Sequence, residues 1–311
     1  MSGRRARWGI GALAALAAGG CELVEVTLAD FEDVVVVEAL VYGSGDGRAA
    51  AAVLLHRTVE GADGRSRPVP GATVRVVEPG GAAHTLQEVG SVEYDPCRES
   101  APEEGAGTCY RTGLFAAPGD ELGLDVSLPD GRRIVGRTRM PGPFELVVPG
   151  VPGCLLAASD SLEVRWTGSD GAWAYMAETT IHGLPEVLAP LGLETPEDPL
   201  YLRGLSVSSE DTTIVFPAEL GIFERFELER ELAVLLQAGL PDGTWAKVTV
   251  SAMDRNLVNW LRGGNFNPSG QVRIPSVTGE GTGFFGSALT RGFEVSTPAA
   301  PAGRRDLPPC G

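Results

Sequence analysis

Short runs of alternating apolar and polar residues, separated by glycine, proline and aspartate, set the strongest limit on what this chain can fold into. The clearest run is Glu121 to Leu128, in which an apolar side chain occupies every second position from Leu122 onwards. Because successive side chains of a strand point to opposite faces, these apolar groups share one face of a sheet. The Pro-Asp-Gly sequence at 129–131 then predicts a turn into a further strand over Arg132 to Arg139.

The same pattern recurs along both halves of the chain. It predicts strands over residues 34–42, 51–58, 72–78, 108–114, 121–128, 132–139, 161–167, 173–181, 202–208, 212–216 and 245–253. Four prolines crowd residues 141–153, more than a strand or helix interior tolerates, so we place a domain boundary there. We therefore predict a mostly β protein with two β-sandwich domains of the immunoglobulin-like or fibronectin-III-like type, over 34–140 and 154–296, and a Pro-rich tail over 297–311.

One or two short helices are expected in the second domain. The segment 219–238 carries a stripe of leucines at helical spacing, namely Leu228, Leu232, Leu235 and Leu236. Gly239 and Pro241 follow as stop signals, and a pair of strands is the competing interpretation. Asp254 can cap a second helix that runs through Leu261 and ends at Gly263.

Residues 1–21 have the order of a bacterial export signal. Three arginines precede an uncharged, mostly apolar run over 8–20, which is shorter than the ~20 residues of a membrane-spanning helix. Small residues lead into Cys21, and this arrangement resembles the lipobox of bacterial lipoproteins, although Ala18 stands where leucine is usual. We expect residues 1–20 to be removed as a signal peptide, Cys21 to carry the lipid anchor, and 21–33 to form an acidic tether. An ordinary secretory signal with an unrelated cysteine is the alternative.

Four further cysteines bear on the stability of the exported chain: Cys97, Cys109, Cys154 and Cys310. An even number in an exported protein favours disulfides, and four cysteines allow three pairings. We predict one bond inside a polar loop, Cys97–Cys109, and one that ties the tail to the start of the second domain, Cys154–Cys310. A zinc site is the alternative, but the spacing contains no Cys-x-x-Cys pair.

Charge and motif content argue against several classes of function. The chain has 41 acidic and 25 basic residues and a net charge of −16, so nucleic acid and anionic lipid head groups would be repelled. No motif of a zinc peptidase or an α/β-hydrolase surrounds the three histidines, which are His56, His84 and His182. We therefore predict a protein that is not an enzyme and that uses no metal or cofactor.

A glycine-rich string over 281–286 matches the Gly-x-Gly-x-x-Gly pattern of dinucleotide-binding proteins. That site needs a helix and a further strand after the glycines, and too few residues remain for both. The glycines are better explained by tight turning of the backbone beside Phe284 and Phe285. These two rings would either pack as core or form a contact surface.

The order of features resembles the DUF4249 family of envelope lipoproteins. The features that carry the resemblance are the lipobox at Cys21, an apolar strand after it, the segment Pro70 to Val76, Tyr110 with Pro118 and Gly119 before Leu122 to Val126, the Pro-rich joint, and the glycine-rich segment Gly279 to Gly286. The segment Pro70 to Val76 is similar to a strand of carboxypeptidase-regulatory-like and transthyretin-like modules. The resemblance implies an outer-membrane lipoprotein that is accessory to a TonB-dependent receptor, and it supplies no catalytic residues.

Two functions of different classes follow from these features. A non-catalytic interaction or assembly module at the cell envelope, held to the membrane by lipid on Cys21, could pair a free edge strand with an outer-membrane β-barrel receptor. A glycan- or nutrient-binding surface lipoprotein would instead stack sugars on tryptophans, if Trp173, Trp245 or Trp260 is exposed. Trp166, by contrast, is expected to pack beside Tyr175 as core. An envelope hydrolase is the least favoured function.

Overall fold

The computed structural model describes residues 33–58, 67–89, 97, 107–193, 198–206, 208–217, 230–263, 273–304 and 306–311. Within these ranges the fold is mostly β, as predicted, and Asp33–Gly311 form one compact unit. The predicted signal peptide, Cys21 and most of the tether lie outside the described residues. None of the described helices is both long and apolar enough to cross a membrane.

The strands of the described chain are β1 (Val35–Gly43), β2 (Arg48–Arg57), β3 (Thr73–Val77), β4 (Ala83–Thr85), β5 (Gln87–Val89), β6 (Thr108–Phe115), β7 (Glu121–Ser127), β8 (Arg133–Arg139), β9 (Leu146–Val148), β10 (Gly153–Leu155), β11 (Leu162–Trp166), β12 (Ala174–His182), β13 (Leu200–Leu205), β14 (Thr213–Phe216), β15 (Trp245–Met253), β16 (Val277–Gly279) and β17 (Thr282–Ser296). The helices are α1 (Leu184–Leu188), α2 (Arg230–Ala238) and α3 (Arg255–Arg262).

These strands form three sheets. Sheet A has the order β13-β12-β15-β17-β1-β2-β6-β5, and β10 also pairs with β17. Sheet B has the order β16-β8-β7-β3-β4, and sheet C has the order β14-β11-β9. Buried residues of all three sheets share one apolar core. Sheets B and C therefore pack on the same face of sheet A.

Strand β17 joins the two predicted sandwiches. Its first half, Thr282 to Leu289, runs parallel to β1, and its second half, Ala288 to Ser296, runs antiparallel to β15. Because this 15-residue strand serves both halves, sheet A continues across the predicted boundary at 141–153. Short paired strands occupy the predicted boundary: Pro141 and Pro143 lie between β8 and β9, and Pro149 and Pro152 lie between β9 and β10.

Both faces of β1 are buried, which explains its nearly continuous apolar sequence. Val35, Val37 and Ala39 face the main core, whereas Val36 and Leu40 face a smaller cluster that includes residues of α3. Helix α3 thus covers part of the other face of sheet A.

The helix predictions are confirmed where the structure describes them. The Asp254 carboxylate accepts a hydrogen bond from the Leu257 amide at 2.9 Å, so Asp254 caps α3, which ends before Gly263. Helix α2 forms the last part of the predicted 219–238 helix, and residues 218–229 lie outside the described ranges. The five-residue helix α1 was not predicted, because it is too short for a helical period and contains a proline.

Both predicted disulfides are confirmed. Cys97 is bonded to Cys109, and Cys154 is bonded to Cys310 across 156 residues of sequence. Because each sulfur is used in a covalent bond, the zinc alternative for these four cysteines is wrong. The second bond fixes the end of the tail beside β10, where the Cys310 amide also donates to the Leu155 carbonyl at 2.8 Å.

Candidate functional site

Two open clefts lie side by side near the start of α3. The first, here called the sheet cleft, has a volume of about 710 Å³ and lies against β3, β7, β8 and residues 274–278. The second, here called the tryptophan cleft, has a volume of about 670 Å³ and lies between β8, residues 118–121 and residues 170–173. Both are lined by Arg137, Arg255 and Asn256, so the two clefts adjoin.

Strand β8 supplies most of the cationic lining. Ile134 and Thr138 point inward and are buried, so the alternation of the strand turns Arg133, Arg137 and Arg139 outward. The residue opposite Arg137 in the register of the sheet is Gly123 of β7, which in turn faces Val77 of β3. No carboxylate therefore lies directly across the sheet from Arg137.

A glycine allows β8 to lie close to β17 at the back of the clefts. Gly136 points inward, and a methyl group at this position would meet Cβ of Phe285 at 3.0 Å and Val277 at 3.2 Å. Any larger residue here would therefore force Phe285 or Val277 to shift by a few tenths of an ångström. This contact holds sheet B against sheet A where α3 begins.

The start of α3 is anchored to both strands through polar side chains. Nδ2 of Asn256 donates to the carbonyl of Arg137 at 2.8 Å and to the carbonyl of Phe285 at 2.9 Å. The buried Asp254 carboxylate accepts hydrogen bonds from Thr138 Oγ1 at 2.7 Å and from the Ser287 amide at 3.2 Å. These bonds join β8, β17 and α3 into a fixed floor for both clefts.

Burial controls the protonation of Asp254. Loss of water around the carboxyl group raises its pKa above the ordinary value of 3.8, and the hydrogen bonds from Thr138, Leu257 and Ser287 oppose this rise only in part. The group therefore keeps its proton to a higher pH than an exposed aspartate.

The arginines of the clefts differ in the partners of their guanidinium groups. Nε of Arg133 donates to Asp125 Oδ1 at 3.0 Å, and Nε of Arg139 donates to the Gly119 carbonyl at 3.2 Å. Among the described residues, Arg137 and Arg255 form no ion pair with a carboxylate. Both are exposed, so their guanidinium groups can bind a ligand.

Trp173 stands at the rim of the tryptophan cleft on a fixed backbone. Its amide donates to the Met253 carbonyl at 2.8 Å, and the guanidinium carbon of Arg255 lies 4.9 Å from its ring centroid. The turn before it is held by buried Ser169, whose Oγ donates to the Gly142 carbonyl at 2.7 Å. Even so, the side chain remains 46% exposed.

The other tryptophans that the sequence singled out are covered. Trp245 lies between the His182 ring, whose centroid is 3.9 Å away, and the Arg304 guanidinium. Trp260 is only 7% exposed and packs on Phe284. Trp166 packs edge-on against Tyr175 at 5.3 Å, so its predicted core role is confirmed.

The structure places the remaining sequence-predicted site residues away from a contact surface. Phe284 is 4% exposed and Phe285 is fully buried, so of the two roles expected for this pair the structure shows the core role. None of the four disulfide cysteines lines either cleft. Cys21 lies outside the described residues, and the structure therefore does not test its lipidation.

The chemistry that the clefts offer is polar binding next to an aromatic ring. No histidine or cysteine is among the described residues that line them. Within the described ranges, no group of three or more His, Cys, Asp or Glu side chains could hold a metal ion. Sequence reasoning missed Arg137 and Arg255, although arginines at 133, 137 and 139 of a predicted strand signalled a cationic sheet face.

Comparisons with known proteins add no function. No family model and no curated protein matches the chain. A DUF4785 family protein from Legionella pneumophila is similar at 13% identity over 69% of this chain, with a TM-score of 0.20. The match covers 51% of that protein, so the chain spans about half of its length. The two tandem V-type regions of a v-region-containing chitin binding protein match at 10% identity over 82% of this chain and 99% of theirs, with a TM-score of 0.18. Both scores are too low to support an argument about fold or function.

Proposed function

We propose that this protein is a non-catalytic binding protein of the bacterial cell envelope and that the adjoining clefts bind a saccharide. The observation that carries the proposal is Trp173, an exposed indole on a fixed backbone beside Arg255 and at the rim of a cleft. The envelope location rests on the lipobox-like sequence at Cys21.

The clefts have the size and the lining that small-ligand sites use. Pockets for such ligands typically measure about 300–1,000 Å³ and combine an apolar surface with a few fixed polar groups. An indole offers a flat face to the C–H groups of a sugar ring. Arg137, Asn256, Glu121 and Asp170 lie within reach of the same space and can form hydrogen bonds with hydroxyl groups.

A second candidate is an assembly module that is accessory to a TonB-dependent outer-membrane receptor. It is supported by the resemblance to DUF4249 lipoproteins and by the open form of sheet A, in which β13 and β5 are edge strands. An edge strand can accept an extended segment of a partner. Lipid on Cys21 would place the protein beside such a receptor, so the two candidates are compatible.

Saccharide binding is tested with full-length protein in detergent by isothermal titration calorimetry against a panel of oligosaccharides. We expect at least one oligosaccharide to bind and Trp173→Ala to weaken that binding at least tenfold, which corresponds to ~1.4 kcal/mol. Phe115→Ala is the matched control, because Phe115 is an aromatic residue with 71% exposure that lines neither cleft. The proposal fails if no saccharide binds, or if both variants lose affinity equally.

The accessory function is tested by purifying tagged protein from gently solubilised native envelopes. A β-barrel receptor that co-purifies in near-equal amount, and that is lost in Cys21→Ala, is the expected result. Recovery of the protein alone would argue against the receptor-accessory function and leave the saccharide proposal in place.

A further inference from the structure

The cationic groups around the clefts stand out against the charge of the whole chain. The net charge is −16, yet four arginines line the two clefts: Arg133, Arg137, Arg139 and Arg255. Two of these, Arg137 and Arg255, line both clefts and form no ion pair with any described carboxylate. Two arginines without an ion pair among the described residues therefore lie where the clefts meet.

Four carboxylates also line the clefts, but none of them forms an ion pair with Arg137 or Arg255. Asp125 is already paired with Arg133, and Asp254 is buried and hydrogen-bonded. Glu121 faces Arg139 across the sheet and not Arg137. Asp170 and Glu121 line only the tryptophan cleft, so Asp125 is the sole carboxylate among the described residues that line the sheet cleft.

Resting on the proposed binding function, we infer that the ligand is an oligosaccharide that carries anionic groups, either carboxylates or sulfate esters. A guanidinium group binds such oxyanions through two parallel hydrogen bonds. Two guanidinium groups that form no ion pair with a described carboxylate flank the junction of the clefts. Asn256 lies at the same junction and adds hydrogen-bonding capacity.

The apolar part of the lining fits the carbon skeleton of such a ligand. Val77, Val135 and Ile274 line the sheet cleft, and the latter two are exposed. Trp173 provides a flat face in the adjoining cleft. A chain of several sugars could therefore lie along both clefts and place its acidic groups at Arg137 and Arg255.

Long-range repulsion by the acidic surface does not prevent this binding at ordinary salt. The Debye length at 0.15 M ionic strength is about 8 Å, so exposed carboxylates farther away are largely screened. Contacts made directly with arginine are screened less. The local cationic lining therefore decides which ligands are held.

Three ligands of equal length distinguish the contribution of ligand charge to affinity from that of stacking on Trp173. They are an oligogalacturonide, its methyl-esterified neutral form, and a sulfated oligosaccharide. We measure the affinity of each for the full-length protein by calorimetry at 0.15 M salt. At least one anionic ligand is expected to bind at least tenfold more tightly than the neutral one. Binding of only the sulfated or only the carboxylated ligand supports the inference and identifies the group.

The variants Arg137→Gln and Arg255→Gln should each lower the affinity for the anionic ligand about five- to tenfold and reduce discrimination against the neutral one. Arg165→Gln is the matched control, because Arg165 is an exposed arginine of β11 outside both clefts. It should change the affinity less than twofold. An equal effect of all three variants would mean that only general charge is sensed, and would overturn the inference.

The remaining outcomes distinguish failure of the inference from failure of the proposed function. If neutral and anionic ligands bind equally and Trp173→Ala weakens both, the inference is wrong and saccharide binding stands. If none of these ligands and no member of the oligosaccharide panel binds to the wild-type protein, both are wrong. Arg137→Gln carries more weight than Arg255→Gln, because Arg255 also contacts Trp173.

Discussion

At the scale of single residues, the Asp254 carboxylate accepts three hydrogen bonds although it is buried. Its carboxylate caps α3, accepts a hydrogen bond from Thr138 of β8 and accepts another from the Ser287 amide of β17. Burial disfavours the charged form and raises the pKa, while these bonds favour the charged form. The net rise means that burial outweighs the hydrogen bonds.

The raised pKa of Asp254 predicts a specific dependence of stability on pH. Because the folded pKa lies above the ordinary value of 3.8, the folded state holds the proton more tightly than the unfolded state. The contribution of Asp254 to stability is complete below pH 3.8 and is lost as the pH rises through the folded pKa. Asp254→Asn lacks this contribution, so the free energy of unfolding of the wild type minus that of the variant should increase as the pH falls. Urea denaturation at several pH values measures this difference, and a difference independent of pH would contradict the prediction.

Sequence reasoning at this scale succeeded where the signal was local. The Asp254 cap, the Cys97–Cys109 bond and the core role of Trp166 beside Tyr175 involve residues close in sequence, and Cys154–Cys310 is then the pair of cysteines that remains. Exposure was harder to predict, because it depends on residues that are distant in sequence. Trp245 is covered by Arg304 of the tail, and only Trp173 of the three proposed tryptophan platforms is exposed.

At the scale of elements, the candidate site depends on how α3 is joined to the sheets. Asn256 forms the direct bridge, since one amide group donates to carbonyls of both β8 and β17. The side chain of Asn259, one turn later, also lines the sheet cleft. The two asparagines of α3 therefore form a matched pair for testing the bridge.

We predict that Asn256→Ala lowers the free energy of unfolding by about 1–3 kcal/mol, because two carbonyl groups each lose a hydrogen bond. Asn259→Ala should change it by less than about 0.5 kcal/mol, the usual limit for surface substitutions without a special role. Urea denaturation followed by circular dichroism compares the two variants with the wild type. Equal destabilisation by both substitutions would show that α3 is not held through the Asn256 amide.

Element prediction failed mainly at β17. Its beginning holds several glycines, which in sequence indicate a turn and not the start of a 15-residue strand. The strand needs them: Gly283 has a φ of +124°, and a methyl group there would lie 2.0 Å from the Val37 carbonyl oxygen. That constraint comes from β1, which lies far away in sequence, so no local pattern could reveal it.

At the scale of the whole molecule, the shared strand β17 couples the stability of the two halves of the chain. β17 pairs with β1 in one half and with β15 and β10 in the other. If either half unfolded, β17 would lose the hydrogen bonds to its partner strands in that half. The described part of the chain should therefore unfold as one cooperative unit, although its sequence resembles two domains in tandem.

The distribution of tryptophans allows a direct test of this cooperativity. The described tryptophans, Trp166, Trp173, Trp245 and Trp260, all lie in the second half, so their fluorescence reports on that half. Leu55 of β2 is fully buried in the first half. Leu55→Ala should lower the free energy of unfolding by about 2–5 kcal/mol, which is the usual effect of truncating a buried leucine to alanine. In a cooperative unit the fluorescence transition must move to lower urea by as much as the circular dichroism transition does.

Val234→Ala provides the control, because this α2 side chain is 59% exposed and its truncation should leave both transitions in place. If Leu55→Ala shifts only part of the circular dichroism change and the tryptophan transition stays at its wild-type position, the halves unfold separately. The shared strand would then be a contact between two domains and not the element that unites them. Coincident shifts would instead mean that a core substitution outside both clefts lowers the stability of the ligand site, because Asn256 at the junction of the clefts is hydrogen-bonded to β8 and β17.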